Sequence, residues 1–217
     1  MYKIKYGYDT PVNRSLALTG IIAHPAGKNY GSVRLLSSGS TSVRVYKMGN
    51  IKLEYSTDNV IFADVTWTDE EKASVSPTFS LQDGESLYLK GNNTCSVSDL
   101  FVFSFSGVGT IAATGDIRAI STNSFCYSMF NGCTNLTTAP ALPATTLANN
   151  CYNGMFNGCT KISSLAVYFT AFNQTLSCTT GWLEGVSTTG TFHCPSSLDT
   201  TTRDASHVPA DWTILNN

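Results

Sequence analysis

The first half of the chain alternates apolar and polar residues, which is the period of a β-strand with one buried face. Ile51, Leu53 and Tyr55 alternate with charged residues, and a polar turn at residues 56–59 separates them from an apolar segment at residues 60–65. The alternation and the turn together predict two short strands joined in a hairpin.

The same pattern continues to about residue 118. The polar run at residues 82–85 contains Asp-Gly, which is a turn signal, and another alternating segment follows it. Phe101, Phe103 and Phe105 fall on one face of the next predicted strand. Short strands with turns about every 8–12 residues are typical of an antiparallel β-sandwich, and we expect that fold for residues 51–120.

Residues 1–50 are also strand-like, and they form either an additional sheet layer or a separate docking segment. Residues 1–52 carry a net charge of +7, whereas residues 53–217 carry −9. The asymmetry indicates halves with different partners, or a basic end that meets the acidic body of another copy; two modules with unrelated surfaces are the alternative. The candidate docking residues are the bases Lys3, Lys5, Arg14, Lys28, Arg34, Arg44 and Lys47.

Beyond about residue 121 the pattern becomes a repeat. The hexapeptide Met-Phe-Asn-Gly-Cys-Thr at residues 129–134 recurs unchanged at residues 155–160, a spacing of 26 residues. After another 26 residues, Phe156 is matched by Trp182 in a degraded third copy. A period of 26 lies within the range of about 20–29 residues found in leucine-rich repeats.

Apolar residues recur at every fourth position of each repeat, a spacing that predicts one face of a short helix. Gly158 is expected to take the left-handed conformation that ends this helix. The residues on the predicted faces are Leu147, Cys151 and Met155 in one copy and Phe125, Met129 and Cys133 in the other.

We therefore predict a mainly β protein, with an antiparallel β-sandwich followed by a short α/β solenoid of the leucine-rich-repeat type and a degenerate cap. The predicted segments are a basic docking segment (1–50), the sandwich (51–120) and the repeat module with its cap (121–217). Each repeat leaves an apolar face that only a neighbour can cover, so we expect the repeats to pack on the sandwich.

Two phrases, CYSMFNGCTNLTTAPALPATTL and CYNGMFNGCTKI, resemble the degenerate leucine-rich repeats of BspA-like surface proteins. Such repeats occur in gut Bacteroides and Firmicutes and in proteins of their phages. The ending GWLEGVSTTGTFHCP…HVPADWTI resembles their closing cap. The phrase EYSTDNVIFADV…FSLQDGESLYLKGNN resembles the β-module that often precedes such repeats, so the resemblance covers about residues 50–217. It implies an adhesin or binding scaffold without catalytic residues.

Composition fits a surface protein. Charged residues make up only 13% of the chain, against about 25% in ordinary domains. Ser and Thr, 25 and 28 in number, take their place. The seven cysteines are an odd number without a secretory signal, so we expect reduced, buried thiols rather than a disulfide framework.

Chemistry motifs are not found in the sequence, and we expect no enzymatic activity, no cofactor and no metal site. Tyr127, Tyr152 and Tyr168 are candidates for a ligand-binding face on the repeats, or else cover their outer layer. The bases are scattered singly, so nucleic acid is not an expected partner. No apolar run approaches the roughly 18 residues of a membrane span, so membrane insertion is not expected.

These features lead to two functional hypotheses. In the first, the chain is a phage virion surface protein, a head fibre, decoration or tail-associated protein. It would dock on a capsid or other virion protein through its basic end and display the repeats to a host glycan or protein. In the second, it is a BspA-like adhesin of the bacterial cell surface, for which we find no export signal. A homo-oligomer, with a trimer as one candidate, is compatible with both.

Overall fold

The computed structural model describes residues 30–70 and 73–217, and this part of the chain is mainly β, with several antiparallel sheets and almost no helix. The predicted β class is therefore confirmed. Apart from the strands, the described residues contain two short 3-10 turns, Ile117–Ala119 and Gln174–Leu176. The strands are β1 (Val33–Ser38), β2 (Thr41–Met48), β3 (Glu54–Ser56), β4 (Ala63–Asp64), β5 (Thr68–Glu70), β6 (Ala73–Val75), β7 (Phe79–Leu81), β8 (Ser86–Lys90), β9 (Leu100–Gly107), β10 (Thr110–Thr114), β11 (Leu136–Thr138), β12 (Ser164–Ala166), β13 (Gly190–Cys194) and β14 (Trp212–Asn216).

The strands before residue 115 lie in two sheets that share one apolar core. The first sheet has the order β11-β10-β1-β8-β3-β4, and in the second β2 pairs with β9 on one side and with β6 and β7 on the other. Leu35 of β1, Val43 of β2 and Phe103 of β9 are all buried in this core. Alternation places every second residue of each strand in the core, which is why the period-two pattern predicted these strands.

The boundary predicted at residue 50 falls inside the two sheets. Strand β1 lies between β10 and β8, with Leu35 opposite both Ala113 and Leu87, and β2 pairs with β9 over eight residues. The described part of the first segment, residues 30–50, is thus part of the sheet core. Residues 1–29 and the docking candidates within them lie outside the described residues.

The predicted helix in each repeat is wrong, because a chain of tight turns takes its place. In every copy a residue with positive φ recurs at each fourth position, and a left-handed residue cannot continue a right-handed helix. The prediction that Gly158 is left-handed is confirmed, and so is the burial of Cys151 and Met155. The left-handed residues are Ser124, Ser128 and Gly132, then Asn150, Gly154 and Gly158, then Ser177, Gly181 and Gly185.

Alternate backbone N–H groups in these turns have different partners. The N–H of Met129 donates to the Cys126 carbonyl three residues back (3.2 Å), which closes a local turn. The N–H of Phe130 donates instead to the carbonyl of Met155 in the next copy (2.9 Å), and the N–H of Phe156 donates to Trp182 (3.0 Å). Every second residue therefore ties one repeat to the next, and we call this set of bonds the repeat ladder.

The repeats are also joined along a second edge by parallel strands. Strand β10 pairs with β11, with Ile111 opposite Leu136, and β12, β13 and β14 form a parallel sheet in which Leu165 lies opposite Phe192. These partners are separated by about one repeat in the sequence, so each unit hydrogen-bonds to the same positions of its neighbour.

The second sheet continues directly into the repeat ladder. The N–H of Phe103 in β9 donates to the carbonyl of Met129 (2.7 Å), one repeat length away. The ring of Phe103 stacks on Phe130 (centroids 5.0 Å apart), and Phe130 stacks on Phe156 (5.8 Å, 2° between ring planes). Strand β9 of the second sheet and strand β10 of the first sheet thus serve as the template on which the first repeat packs.

The third copy is offset by one residue from its predicted alignment. Its left-handed residues follow those of the second copy by 27 positions, because Gly154 corresponds to Gly181. Trp182 is therefore the structural equivalent of Met155, and Phe156 corresponds to Leu183 rather than to Trp182. All of these apolar side chains are buried.

A short turn at residues 204–207 closes the third copy. The N–H of Leu183 donates to the carbonyl of Ala205 (3.0 Å), and the indole N–H of Trp182 donates to the carbonyl of His207 (3.0 Å). The Asp204 carboxylate accepts hydrogen bonds from the backbone N–H groups of Ser206 and His207, which fixes the turn. This capping turn provides acceptors for N–H groups of the third copy that would otherwise need a fourth repeat as their partner.

We call the stacked rings of Phe103, Phe130 and Phe156 the aromatic column. Removal of its central ring should strongly destabilise the fold. Phe130 is fully buried between Phe103 and Phe156. We expect Phe130→Ala to lower the free energy of unfolding by about 3–5 kcal/mol, measured by urea denaturation. The control Val108→Ala, at a turn residue that is 92% exposed, should change it by less than about 0.5 kcal/mol. Equal effects of the two substitutions would contradict a column that stabilises the repeats.

Candidate interaction surfaces

Three of the basic docking candidates lie in the described residues, and they are not brought together. Arg34 lies on β1 of the first sheet, whereas Arg44 and Lys47 lie on β2 of the second. Arg44 is exposed on the outward face of β2, and Lys47 lies opposite the buried Phe101 on the other face. Lys3, Lys5, Arg14 and Lys28 lie outside the described residues.

Two of these three bases are engaged within the chain. The Nε of Arg34 donates to the Ser86 hydroxyl (2.9 Å), and its guanidinium lies 5.9 Å from the centroid of the Tyr88 ring. The Nζ of Lys47 donates to the Ile51 carbonyl (3.2 Å) and lies 4.9 Å from the centroid of Trp67. In a cation–π contact the aromatic ring attracts the charged group, so these two side chains are held against their own chain.

Arg44 differs from both, because its guanidinium has no hydrogen-bond, ion-pair or ring partner within residues 30–70 and 73–217. Its cross-strand neighbour is Ser104, and the adjacent outward pairs are Ser42 with Ser106 on one side and Tyr46 with Val102 on the other. Arg44 therefore projects from a sheet face whose neighbouring side chains carry no charge. Among the described docking candidates, this geometry best suits contact with an acidic group of a partner.

The three candidate tyrosines occupy different environments. Tyr127 is 36% exposed, Tyr168 is half-buried, and Tyr152 is fully buried with its ring stacked on Trp182 (centroids 6.2 Å apart). Burial raises the pKa of the Tyr152 hydroxyl. Tyr152 is therefore a core residue, and its assignment to a ligand-binding face is corrected; for Tyr127 and Tyr168 that role stays a prediction.

The ladder explains why the two similar Cys-Tyr pairs differ. At the repeat spacing of 26 residues, Tyr152 corresponds to Cys126, which is an inward position. Tyr127 corresponds to Asn153, which is an outward position. The sequence places each tyrosine after a cysteine, but the two pairs are shifted by one residue relative to the left-handed positions. That single shift moves one ring into the core.

All seven cysteines are buried and unpaired, and the predicted burial is confirmed. The Cys133 thiol donates to the carbonyl of Phe103 (3.3 Å), and the equivalent Cys159 thiol donates to Phe130 (2.9 Å). Burial raises the pKa of the Cys151 and Cys159 thiols to about 12 and that of Cys126 well above its ordinary value. These thiols are hydrogen-bonding core residues, with none of the lowered pKa that a nucleophilic cysteine requires.

A rigid apolar loop tip was missed by the sequence reasoning. Residues 60–65 were predicted as a strand, but only Ala63–Asp64 is strand, and Val60 and Ile61 are 78% and 76% exposed. The Asp58 carboxylate accepts hydrogen bonds from the N–H groups of both residues (2.8 and 3.0 Å) and from the Ser56 hydroxyl. These bonds, with that from Ser56 first, lower the pKa of Asp58. Asp58 thus folds the segment into a loop that alternation alone could not predict.

Among residues 30–70 and 73–217, no group of three or more His, Cys, Asp or Glu side chains is placed to hold a metal ion. In the same ranges no helix is long and apolar enough to span a bilayer.

Comparisons with protein-family models, with curated proteins and with solved structures give no match for this chain. The resemblance of the repeats to BspA-like proteins therefore stays a prediction from the quoted motifs.

The buried thiols should be inert in the folded protein. With iodoacetamide at pH 8, we expect no cysteine to be alkylated under native conditions and all seven in denaturant, measured by intact mass. The control Val108→Cys, with its thiol at an exposed turn, should take up one adduct in the native state. Native labelling of Cys133 or Cys159 at the rate of that control would contradict their placement in the core.

Proposed function

We propose that this chain is a non-enzymatic phage virion surface protein, which docks on the particle through its basic N-terminal region and displays its repeats to a host surface protein or glycan. The observation that carries the proposal is the repeat ladder. Backbone hydrogen bonds join similar units into a scaffold whose Cys and most Phe side chains point inward and whose outward positions are mostly polar. Such scaffolds serve to present a surface.

We also propose that residues 121–217 are a short solenoid related to leucine-rich repeats. Its support is the 26-residue spacing, the equivalent hydrogen bonds of successive copies and the atypical capping turn, which is a usual feature of such arrays. The structure departs from the expected pattern by having turns with left-handed residues where a helix was predicted.

The docking part of the proposal is supported by Arg44 and by the charge asymmetry of the chain. Arg44 is exposed on the outward face of β2 beside uncharged side chains, and four further basic candidates precede the described residues. A basic region on a chain that is otherwise acidic favours an acidic partner surface and a fast, salt-dependent association.

A bacterial cell-surface adhesin is the second candidate. It is favoured by the repeat phrases that resemble BspA-like proteins and by the partly exposed Tyr127, whose ring could stack on a ligand. This candidate differs from the first in where the protein resides, which makes the two distinguishable by experiment.

Mass spectrometry of density-purified phage particles, beside washed cells from the same culture, tests the proposal. Peptides present in the particles in a fixed ratio to the capsid protein, including those of residues 1–29, are the expected result. Peptides confined to the cell envelope would overturn the phage assignment and leave the adhesin.

Reversal of one exposed charge tests the docking surface. We expect Arg44→Glu to weaken binding of the purified chain to particles that lack it, and the loss should be larger at low salt because salt screens exposed charges. Lys161→Glu makes the same charge change at an exposed position of the repeats and should leave binding unchanged. Equal binding of the Arg44 variant and the unsubstituted chain at both salt concentrations would contradict electrostatic docking through this face.

A further inference from the structure

Strand β14 is the last strand of the parallel sheet, and its outer side has no strand partner in the described residues. The N–H of Asn217 donates to the Cys194 carbonyl of β13 (2.9 Å). In a parallel strand the N–H and C=O of one residue point to the same side, and successive residues alternate. Thr213 and Leu215 therefore bond to β13, whereas Trp212, Ile214 and Asn216 direct their backbone groups outward.

The outward backbone N–H and C=O of Trp212 already have hydrogen-bond partners within the chain. The N–H of Trp212 donates to the Pro209 carbonyl (3.2 Å). One Nη of Arg203 donates to the Trp212 carbonyl and also to the carbonyl of Ala210 (3.0 Å). The guanidinium of Arg203 thus lies on the outer side of the strand, where the backbone of a further strand would have to lie.

Charge does not protect this edge as it protects others. The edge strands β4 and β5 contain Asp64 and Asp69, and acidic residues on an edge oppose pairing with another copy. Strand β14 has no charged residue, and Asp211 only precedes it. If two copies paired antiparallel about Ile214, their Asp211 side chains would be about 20 Å apart, too far to repel strongly.

We propose that β14 is a latent self-pairing edge for a second copy of this chain, and that Arg203 keeps it closed. Antiparallel pairing about a two-fold axis would use the outward N–H and C=O groups of Ile214 in each copy. It would also require the guanidinium to leave the Trp212 carbonyl. The hydrogen bonds of Arg203 therefore keep two copies from associating through β14, which an open, uncharged edge strand would allow.

Substitution of Arg203 by methionine tests this, because methionine keeps much of the aliphatic length of the side chain and removes the donors. In light scattering over a concentration series, we expect Arg203→Met to approach twice the mass of the unsubstituted chain. Lys161→Met removes an exposed basic side chain elsewhere and should keep the unsubstituted mass. An Arg203→Met protein that is folded by circular dichroism and keeps the unsubstituted mass at every concentration would overturn the proposal.

A second variant locates the contact. The N–H of Ile214 points outward, so Ile214→Pro removes it without loss of a bond to β13, as prolines on edge strands do. We expect the double variant Arg203→Met with Ile214→Pro to return to the unsubstituted mass. Hydrogen exchange gives an independent readout, because the Ile214 amide should be protected in the Arg203→Met assembly and exchange rapidly in the unsubstituted chain. An assembly in which that amide still exchanges rapidly would place the contact elsewhere and overturn the proposal.

Discussion

The backbone hydrogen bonds between successive repeats are the interaction on which the rest of the structure depends. Because every second N–H must reach the neighbouring copy, the residues between must close local turns, and a left-handed residue is needed at each fourth position. That geometry decides which side chains point inward. It begins at β9, where Phe103 bonds to Met129, so the two front sheets set the register of everything that follows.

The same constraint accounts for the unusual composition. Units that stack in register place equivalent side chains about 4.8 Å apart, the spacing between neighbouring strands, where like charges oppose each other. Hydroxyl and amide groups avoid that repulsion, and Asn157 instead donates to Glu184 in the next copy (2.9 Å). In the buried interior of the repeats, a cysteine side chain is small enough to fit between neighbouring units. Its thiol donates to a carbonyl of the preceding unit, as Cys159 does to Phe130.

Local patterns predicted much of the fold. The turn at residues 82–85, the shared face of Phe101, Phe103 and Phe105, the left-handed Gly158 and the burial of the cysteines all follow from the residues themselves. What failed depends on long-range partners. A four-residue apolar spacing fits a helix as well as a chain of turns, and bonds to the neighbouring copy decide between them. The inward position of Tyr152 likewise depends on the next copy, where the Cys178 carbonyl accepts its backbone N–H and Trp182 stacks on its ring. The edge closure by Arg203 is nearer in sequence, but it consists of side-chain bonds to backbone carbonyls, which the apolar pattern does not show.

The capping turn at residues 204–207 has an evolutionary consequence. It accepts hydrogen bonds from the Leu183 N–H and from the indole N–H of Trp182, whose equivalent in the second copy is Met155, so the cap fits the third copy in particular. A duplication of 26 residues before the third copy would leave these contacts unchanged, because a repeat contacts only its neighbours. Each added copy would lengthen the reach of the molecule by about 4.8 Å. Variation in copy number, rather than redesign of the core, is thus a path by which the length of such a molecule can change.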